Sequence, residues 1–116
     1  MAIGSHSTLL DFSVISTLTK LETLNITNQG LTSIAFLAPL KNLHSLNLAD
    51  NQITDISVLS GLSNLWIVEL ESNQVADLSP LLKLPNLQRV TVTGNPIREE
   101  HMAELYERGW NVYTEF

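Results

Sequence analysis

Cysteine is absent from the sequence, so disulfides do not hold the chain together, and cysteine-based zinc binding and thiol catalysis are excluded. Basic residues are few: the chain has six lysines and arginines against twelve aspartates and glutamates. The net charge of −6 argues against binding to nucleic acid or to an anionic membrane. No apolar run approaches the roughly 20 residues of a membrane-spanning helix, so we expect no membrane insertion. The length of 116 residues indicates one domain.

The first seven residues, MAIGSHS, carry no targeting pattern. A Gly-Ser-His-Ser stretch after an initiator methionine is typical of the junction that an affinity tag leaves behind. We therefore interpret residues 1–7 as a tag remnant or a disordered arm, and we exclude them from the predicted fold.

A repeat of 22 residues organises most of the chain, because leucines recur at this spacing from Leu21 and asparagines recur at it from Asn51. Within each unit, aliphatic residues occupy places 1, 4, 6, 11, 14, 17 and 20. This frame predicts a single domain over 8–116, divided into a half-repeat over 9–20, repeats over 21–42, 43–64 and 65–86, a partial repeat over 87–97 and a C-terminal cap over 98–116.

Each repeat combines a strand pattern with a polar turn. Places 4 and 6 alternate with polar neighbours, which predicts a short strand with one face inward, so that successive repeats build a parallel sheet. The asparagine at place 9 follows the strand, and its amide can bond backbone groups of adjacent turns. We therefore interpret the asparagines as structural, with Gln29 replacing asparagine in the first repeat.

In the second half of each repeat, a short side chain that can accept a hydrogen bond precedes a group of apolar residues spaced three apart. Such an acceptor caps a helical turn, and an apolar spacing of three favours a short 3₁₀ segment over a long α-helix. The predicted caps are Asp11, Ser33, Asp55 and Asp77.

The two ends of the chain break the period differently. After Pro96 the sequence predicts a helix with Glu99 near its start and Arg108 near its end, followed by a last strand over 110–116. The predicted apolar face of that helix comprises Met102, Leu105 and Tyr106. No comparable cap precedes the first full strand, which leaves its edge free. We expect a monomer, with a dimer through this edge as the alternative.

The pattern LxxLxLxxNxI, followed by three apolar residues at intervals of three, resembles the leucine-rich repeat family over roughly residues 9–97. LHSLNLADNQITDISVLSGLSN, residues 43–64, is similar to the repeat of bacterial internalins. The resemblance implies an α/β repeat solenoid, a right-handed superhelix with a short parallel sheet on its concave face and 3₁₀ or short helical turns on its convex face. It also implies that the concave face binds proteins, with aromatic residues prominent.

Carboxylates near His44 raise the question of catalysis or metal binding. Glu69 and Glu71 lie on one side of a predicted strand, and Asp50 belongs to the neighbouring repeat. A glycosidase needs one carboxylate in an apolar pocket, and an open sheet supplies none. A hard cation accepts carboxylate oxygens, but no loop completes a coordination shell. We expect a solvated acidic surface, with no catalytic residue, metal or cofactor.

The third repeat carries large apolar residues where the other repeats are polar. Trp66 and Ile67 stand outside the inward frame, and interfaces commonly centre on such an aromatic anchor with polar groups around it. The candidate protein-binding residues are Trp66, Ile67, Asn47, Glu69, Glu71, Arg89 and Thr91. The alternative is structural: Trp66 is covered by stacking on His44 and Gln88, and Ile67 is present because β-branched residues favour a strand on a partly covered sheet.

We therefore predict a protein-interaction module without catalysis, part of a bacterial surface or secreted protein similar to internalins. An intracellular scaffold or phosphatase-regulatory repeat protein is the alternative, and a hydrolase or metal-binding domain ranks last. An extracellular or cell-surface location is favoured over the cytoplasm.

Overall fold

A computed structural model describes residues 2–3, 12–108 and 111–113. Its one sheet is parallel, and its strand order follows the chain. The strands are β1 (Ala2–Ile3), β2 (Thr23–Ile26), β3 (Ser45–Asn47), β4 (Ile67–Glu69), β5 (Arg89–Thr91) and β6 (Asn111–Tyr113). The 3₁₀ helices Phe12–Thr17, Ala35–Leu37, Ser57–Gly61 and Ser79–Lys83 lie between the strands, and the α-helix α1 (Glu99–Glu107) precedes β6.

The register of the sheet follows directly from the 22-residue period. Leu46 of β3 stands opposite Leu24 of β2 and Val68 of β4, so equivalent places of successive repeats become neighbours. Since each repeat adds one strand beside the last, a column of equivalent residues runs across the sheet. The predicted repeat solenoid, with parallel strands on one side and 3₁₀ turns on another, is confirmed.

The inward frame forms one continuous core. The aliphatic residues predicted to point inward from Leu24 to Val92 are buried, as is Ile15 of the half-repeat. Burial is incomplete at the ends of the frame, where Leu21 and Ile97 are half-buried and Leu18 is 37% exposed. Leu9 lies outside the described residues. Each repeat therefore depends on its neighbours to cover both sides of its apolar layer.

Buried asparagine amides connect the backbones of successive turns. Asn73 Oδ1 accepts a hydrogen bond from the Ile53 N–H at 3.1 Å, and its Nδ2 donates to the Leu48 and Leu70 carbonyls at 2.9 and 3.1 Å. Asn51 and Asn95 make the equivalent bonds one repeat earlier and later. The predicted structural role of these asparagines is confirmed, because buried backbone groups at tight turns need such partners.

The residue before each of these asparagines, or before Gln29 in the first repeat, turns the chain through a left-handed conformation. The φ angles are 57° at Asn28, 60° at Asp50, 56° at Ser72 and 79° at Gly94. Asparagine, aspartate and glycine tolerate this region better than other residues. A Cβ at Gly94 would lie 3.3 Å from the Ser72 backbone nitrogen, so the turns are also closely stacked.

Short acceptors precede three of the 3₁₀ helices as predicted. Asp55 Oδ1 accepts from the Ser57 N–H at 2.8 Å, Asp77 Oδ1 accepts from Ser79 at 2.9 Å, and Ser33 Oγ accepts from Ala35 at 3.3 Å. Hydrogen bonding to Ser57, first through its backbone N–H, lowers the pKa of Asp55 from its usual value. Asp11 lies outside the described residues.

A second asparagine column, which sequence reasoning missed, occupies place 22. The Nδ2 groups of Asn42, Asn64 and Asn86 donate to the carbonyls of Thr19, Lys41 and Ser63 at 3.0, 2.9 and 3.1 Å. These side chains are exposed, in contrast to the buried asparagines at place 9. Their spacing of 22 residues was the available signal.

The ends of the solenoid differ in part from the predictions. Ala2 and Ile3 pair with Asn25 and Ile26, so the edge of β2 is not free along its whole length. Helix α1 and strand β6 occur where a C-terminal cap was predicted. Tyr106 is 58% exposed, so its assignment to the apolar face of the helix was wrong. The side chains of Met102 and Leu105 and residues 109–110 and 114–116 lie outside the described residues.

We expect Leu46→Ala to lower the free energy of unfolding by about 2 to 5 kcal/mol, because Leu46 is fully buried in the middle of the stack and its truncation leaves a cavity. Leu18→Ala is the matched control and should cost less than about 1 kcal/mol, since Leu18 is 37% exposed. Urea melts of both variants test this ranking, and the reverse order would contradict a core centred on the complete repeats.

We expect Asn73→Ala to destabilise the protein by about 2 kcal/mol or more, because it leaves the buried Ile53 N–H without a partner and removes one of the two amide donors at each of the Leu48 and Leu70 carbonyls. Asn86→Ala removes one exposed hydrogen bond and should cost about 1 kcal/mol or less. Thermal and urea melts measure both variants. Equal losses would argue against the special role of the buried column.

Candidate functional site

The outer side of the sheet presents two columns of side chains from places 3 and 5, which alternate with the buried residues of place 4. One column runs through Thr23, Ser45, Ile67 and Arg89, and the other runs through Asn25, Asn47, Glu69 and Thr91. Most of these residues are half-buried or exposed, and Ile67 is the only large apolar residue among them. The third repeat thus departs from an otherwise polar surface.

Trp66 is 56% exposed, although its backbone is held on both sides. Its N–H donates to the His44 carbonyl at 2.7 Å, and its own carbonyl accepts from the Gln88 and Arg89 N–H groups at 2.8 and 3.1 Å. The Trp66 ring contacts His44 with centroids 6.1 Å apart at a tilt of 55°. This contact leaves most of the indole in solvent, so the alternative in which His44 and Gln88 cover Trp66 was wrong.

Ile67 is half-buried between Ser45 and Arg89 in the sheet register. Its N–H donates to the His44 carbonyl at 3.1 Å, so the two adjacent residues Trp66 and Ile67 share one backbone anchor. Trp66 precedes β4 at the margin of the sheet and Ile67 begins the strand, and we call these two adjacent apolar residues the Trp66 patch.

The polar residues that the sequence predicts around the Trp66 patch differ in how far other groups of the protein already engage them. Arg89 and Glu69 approach within 3.7 Å, with side chains 46% and 26% exposed. An ion pair this exposed contributes about 0 to 1 kcal/mol. Asn47 Oδ1 accepts from the Ala49 N–H at 3.0 Å, so part of its hydrogen-bonding capacity is already used. Glu71 is half-buried.

Thr91 differs from the exposed polar residue that we expected around the patch. It is only 9% exposed, and its Oγ1 has no hydrogen-bond partner in the described part of the structure. A buried hydroxyl without a partner costs free energy. The alternation of side chains along the strand predicts that Thr91 points outward, but it does not predict that Thr91 is buried.

His44 and Glu22 form a feature that sequence reasoning missed. His44 Nδ1 lies 3.6 Å from Glu22 Oε1, and the side chains are 44% and 69% exposed. With Trp66 and Gln88 these residues make one row, because all four occupy place 2 of successive repeats. The 22-residue spacing identifies the row from the sequence, but it does not predict the approach of His44 to Glu22.

The carboxylates near the patch do not assemble into a metal centre. Within residues 12–108, no group of three or more histidine, aspartate or glutamate side chains is arranged to hold a metal ion. A shallow depression lined by Thr32, Ile34, Asp55 and Val58 lies along the 3₁₀ turns, away from the sheet. None of the helices in the described ranges is long and apolar enough to cross a membrane.

A family model described as leucine rich repeat matches residues 19–75. An internalin structure from Listeria monocytogenes is similar, with a TM-score of 0.76, 26% identity and 91% of this chain covered. Internalin C2 from the same organism matches with a TM-score of 0.71, 29% identity and 96% coverage. A leucine-rich repeat protein of Leptospira interrogans shares the fold over the whole chain, with a TM-score of 0.81 at 23% identity.

These structures belong to longer proteins. The chain spans 33% of the Listeria internalin, 58% of internalin C2 and 30% of the Leptospira protein. A comparison with curated proteins gave no significant match.

The exposure of Trp66 predicts red-shifted fluorescence that acrylamide quenches readily. Trp110 is the second tryptophan of the chain, so we suggest the measurement in a Trp110→Phe background. Unfolding in urea should then change the emission maximum and the quenching constant only modestly, because the folded state already leaves 56% of Trp66 in water. Blue-shifted emission that is protected from the quencher would contradict the exposed position.

Proposed function

Because the chain belongs to the leucine-rich repeat family, we propose that it is a protein-interaction module that binds a partner protein on the outer, concave side of its sheet. The observation that carries this proposal is the Trp66 patch: Trp66 is 56% exposed beside Ile67 on a surface that is otherwise polar. A large apolar side chain in water has a free-energy cost that binding can recover. The fold is consistent with this role.

The backbone geometry favours such a role for Trp66. Hydrogen bonds from Gln88 and Arg89 and to His44 hold its peptide groups before any partner arrives. A pre-ordered anchor loses little conformational entropy on binding, so more of its contact energy appears as affinity. Interface anchors are commonly tryptophan, tyrosine or arginine near the centre of a patch.

The proposed ring consists of Asn47, Glu69, Glu71, Arg89 and Thr91. Such groups exclude water from the anchor and select the partner by hydrogen bonds and charge. Glu69 and Arg89 already pair at 3.7 Å, so we expect them to help mainly in orientation. The proposed module carries out no catalytic step and needs no cofactor.

We further propose that the module acts at a bacterial surface or in a secreted bacterial protein. The similarity to two Listeria internalin structures supports this setting over an intracellular scaffold. Fractionation of the source cells with an antibody against the chain would test the location, and recovery in the cytoplasm alone would favour the scaffold.

The binding proposal predicts that a Trp66→Ala, Ile67→Ser variant loses a partner that the unchanged chain retains from extracts. For Trp66→Ala alone, affinity should fall by about 2 kcal/mol or more, or roughly 30-fold. Its stability should change by no more than about 0.5 kcal/mol, because the side chain is not part of the core. Titration calorimetry and thermal melts measure the two effects.

Matched controls come from the same places in other repeats. Gln88→Ala and Thr23→Ala alter exposed residues at the places of Trp66 and Ile67, and they should leave binding nearly unchanged. If the double variant captures the partner as well as the unchanged chain, the Trp66 patch is not the site. If Trp66→Ala unfolds the protein, Trp66 is structural.

A further inference from the structure

Charge is distributed unevenly over the solenoid. Of the six lysines and arginines, only Arg89 lies in a strand, while the others lie in turns, in a 3₁₀ helix or around α1. Three carboxylates, those of Asp50, Glu69 and Glu71, lie where β3 and β4 end. Glu69 ends β4, Glu71 follows it, and the Asp50 N–H donates to the Glu71 carbonyl at 2.9 Å, which places these two residues on adjacent turns.

Two of these carboxylates have no ion-pair partner in the part of the chain that the structure describes. Glu69 faces Arg89 at 3.7 Å, but neither Asp50 nor Glu71 has an ion-pair partner among residues 12–108. Asp50 is exposed and Glu71 is half-buried. This pair, which we call the acidic pair, lies beyond the Trp66 patch in the direction of β4.

One polar group beside Glu69 is closed to a partner. Thr91 stands opposite Glu69 in the register, and its hydroxyl is nine-tenths buried without a partner in the described ranges. The oxygen has almost no solvent-accessible area, so a chain bound on the surface cannot reach it without a rearrangement of the structure. The surface that is open to a partner therefore consists of the Trp66 patch and the acidic pair.

From this surface we infer the chemistry of the partner, and the inference rests on the proposed function. The partner is a protein segment that covers Trp66 and Ile67 with apolar groups and places a lysine or arginine against Asp50 and Glu71. Complementary charge speeds association and excludes acidic competitors by repulsion. A partner without a cation would instead desolvate Glu71 at a cost.

The spacing of the surface constrains the partner segment. Trp66 and Glu71 are five residues apart, so their backbones are at most about 16 Å apart. An extended partner segment covers this distance with about five residues, and a helix covers it with about three turns. The apolar and the basic residues of the partner should be separated accordingly.

A displayed library of random peptides of about twelve residues is a suitable probe, because this length spans the surface in extended or helical form. Peptides are selected for binding to the unchanged chain, and those that also bind the Trp66→Ala variant are removed. Both steps use about 150 mM salt, which suppresses unspecific electrostatic attraction. The affinities of the recovered peptides are then measured for an Asp50→Asn, Glu71→Gln variant.

A Glu104→Gln, Glu107→Gln variant provides the control with the same loss of charge, since both residues are exposed on α1. Asp50→Asn suits the φ of 60° at this position, so folding should be retained. We expect basic peptides with an apolar residue, bound about two- to fivefold more weakly after the change in the acidic pair and unchanged in the control.

The outcomes separate the two proposals. Two results would overturn the inferred partner chemistry and leave the proposed function standing. The recovered peptides could be neutral or acidic although they need Trp66, or they could bind the acidic-pair variant with full affinity. Basic peptides that lose equal affinity for the control variant would also overturn it, because net charge would then explain their binding. If no peptide remains after the binders of Trp66→Ala are removed, both the proposed site and the inference fail.

Discussion

The hydrogen bonds of the buried asparagine column are the constraint on which the rest of the structure depends. A chain that turns every 22 residues brings backbone N–H and carbonyl groups into the interior, where water does not reach them. Asn73 meets this need in both directions, since it accepts from the Ile53 N–H and donates to carbonyls of its own and the preceding repeat. Leucine in place of Asn73 would supply apolar contact but would leave the Ile53 N–H without a partner. The amides thus let the aliphatic core continue through the turns, including that of the first repeat, where Asn51 bonds the Ile26 carbonyl and the Leu31 N–H.

The repeats stack at a fixed distance, so residues at equivalent places of the repeats become neighbours on the surface. Strands lie about 4.8 Å apart, so residues at one place of successive repeats form a row. The row at place 2 holds Glu22, His44, Trp66 and Gln88, and only one of them is large and apolar. Core places cannot vary in this way without leaving a cavity. Differences between repeats therefore collect on the outer side of the sheet, where side chains can vary at little cost to folding.

Much of the fold could be predicted because its signal is repeated in every unit. Leu46 and its equivalents obey one frame, and any misplacement would have appeared in several repeats at once. The ends of the chain have no such support. The exposure of Tyr106 and the pairing of Ala2 with Asn25 depend on single contacts that no repeat duplicates, so the sequence pattern gave no reliable guide to either. The division of the chain at residues 8 and 98 likewise stays a prediction.

The sequence by itself determined the repeat length, the inward residues, the buried asparagines and the unusual Trp66 and Ile67, because each of these is a matter of periodicity or of departure from it. Only the tertiary structure decided how much of each outward side chain water reaches. Trp66 remains 56% exposed beside His44, whereas Thr91 on the same side of the sheet is only 9% exposed. Alternation along a strand specifies direction alone, and exposure depends on the size and placement of neighbours contributed by other repeats.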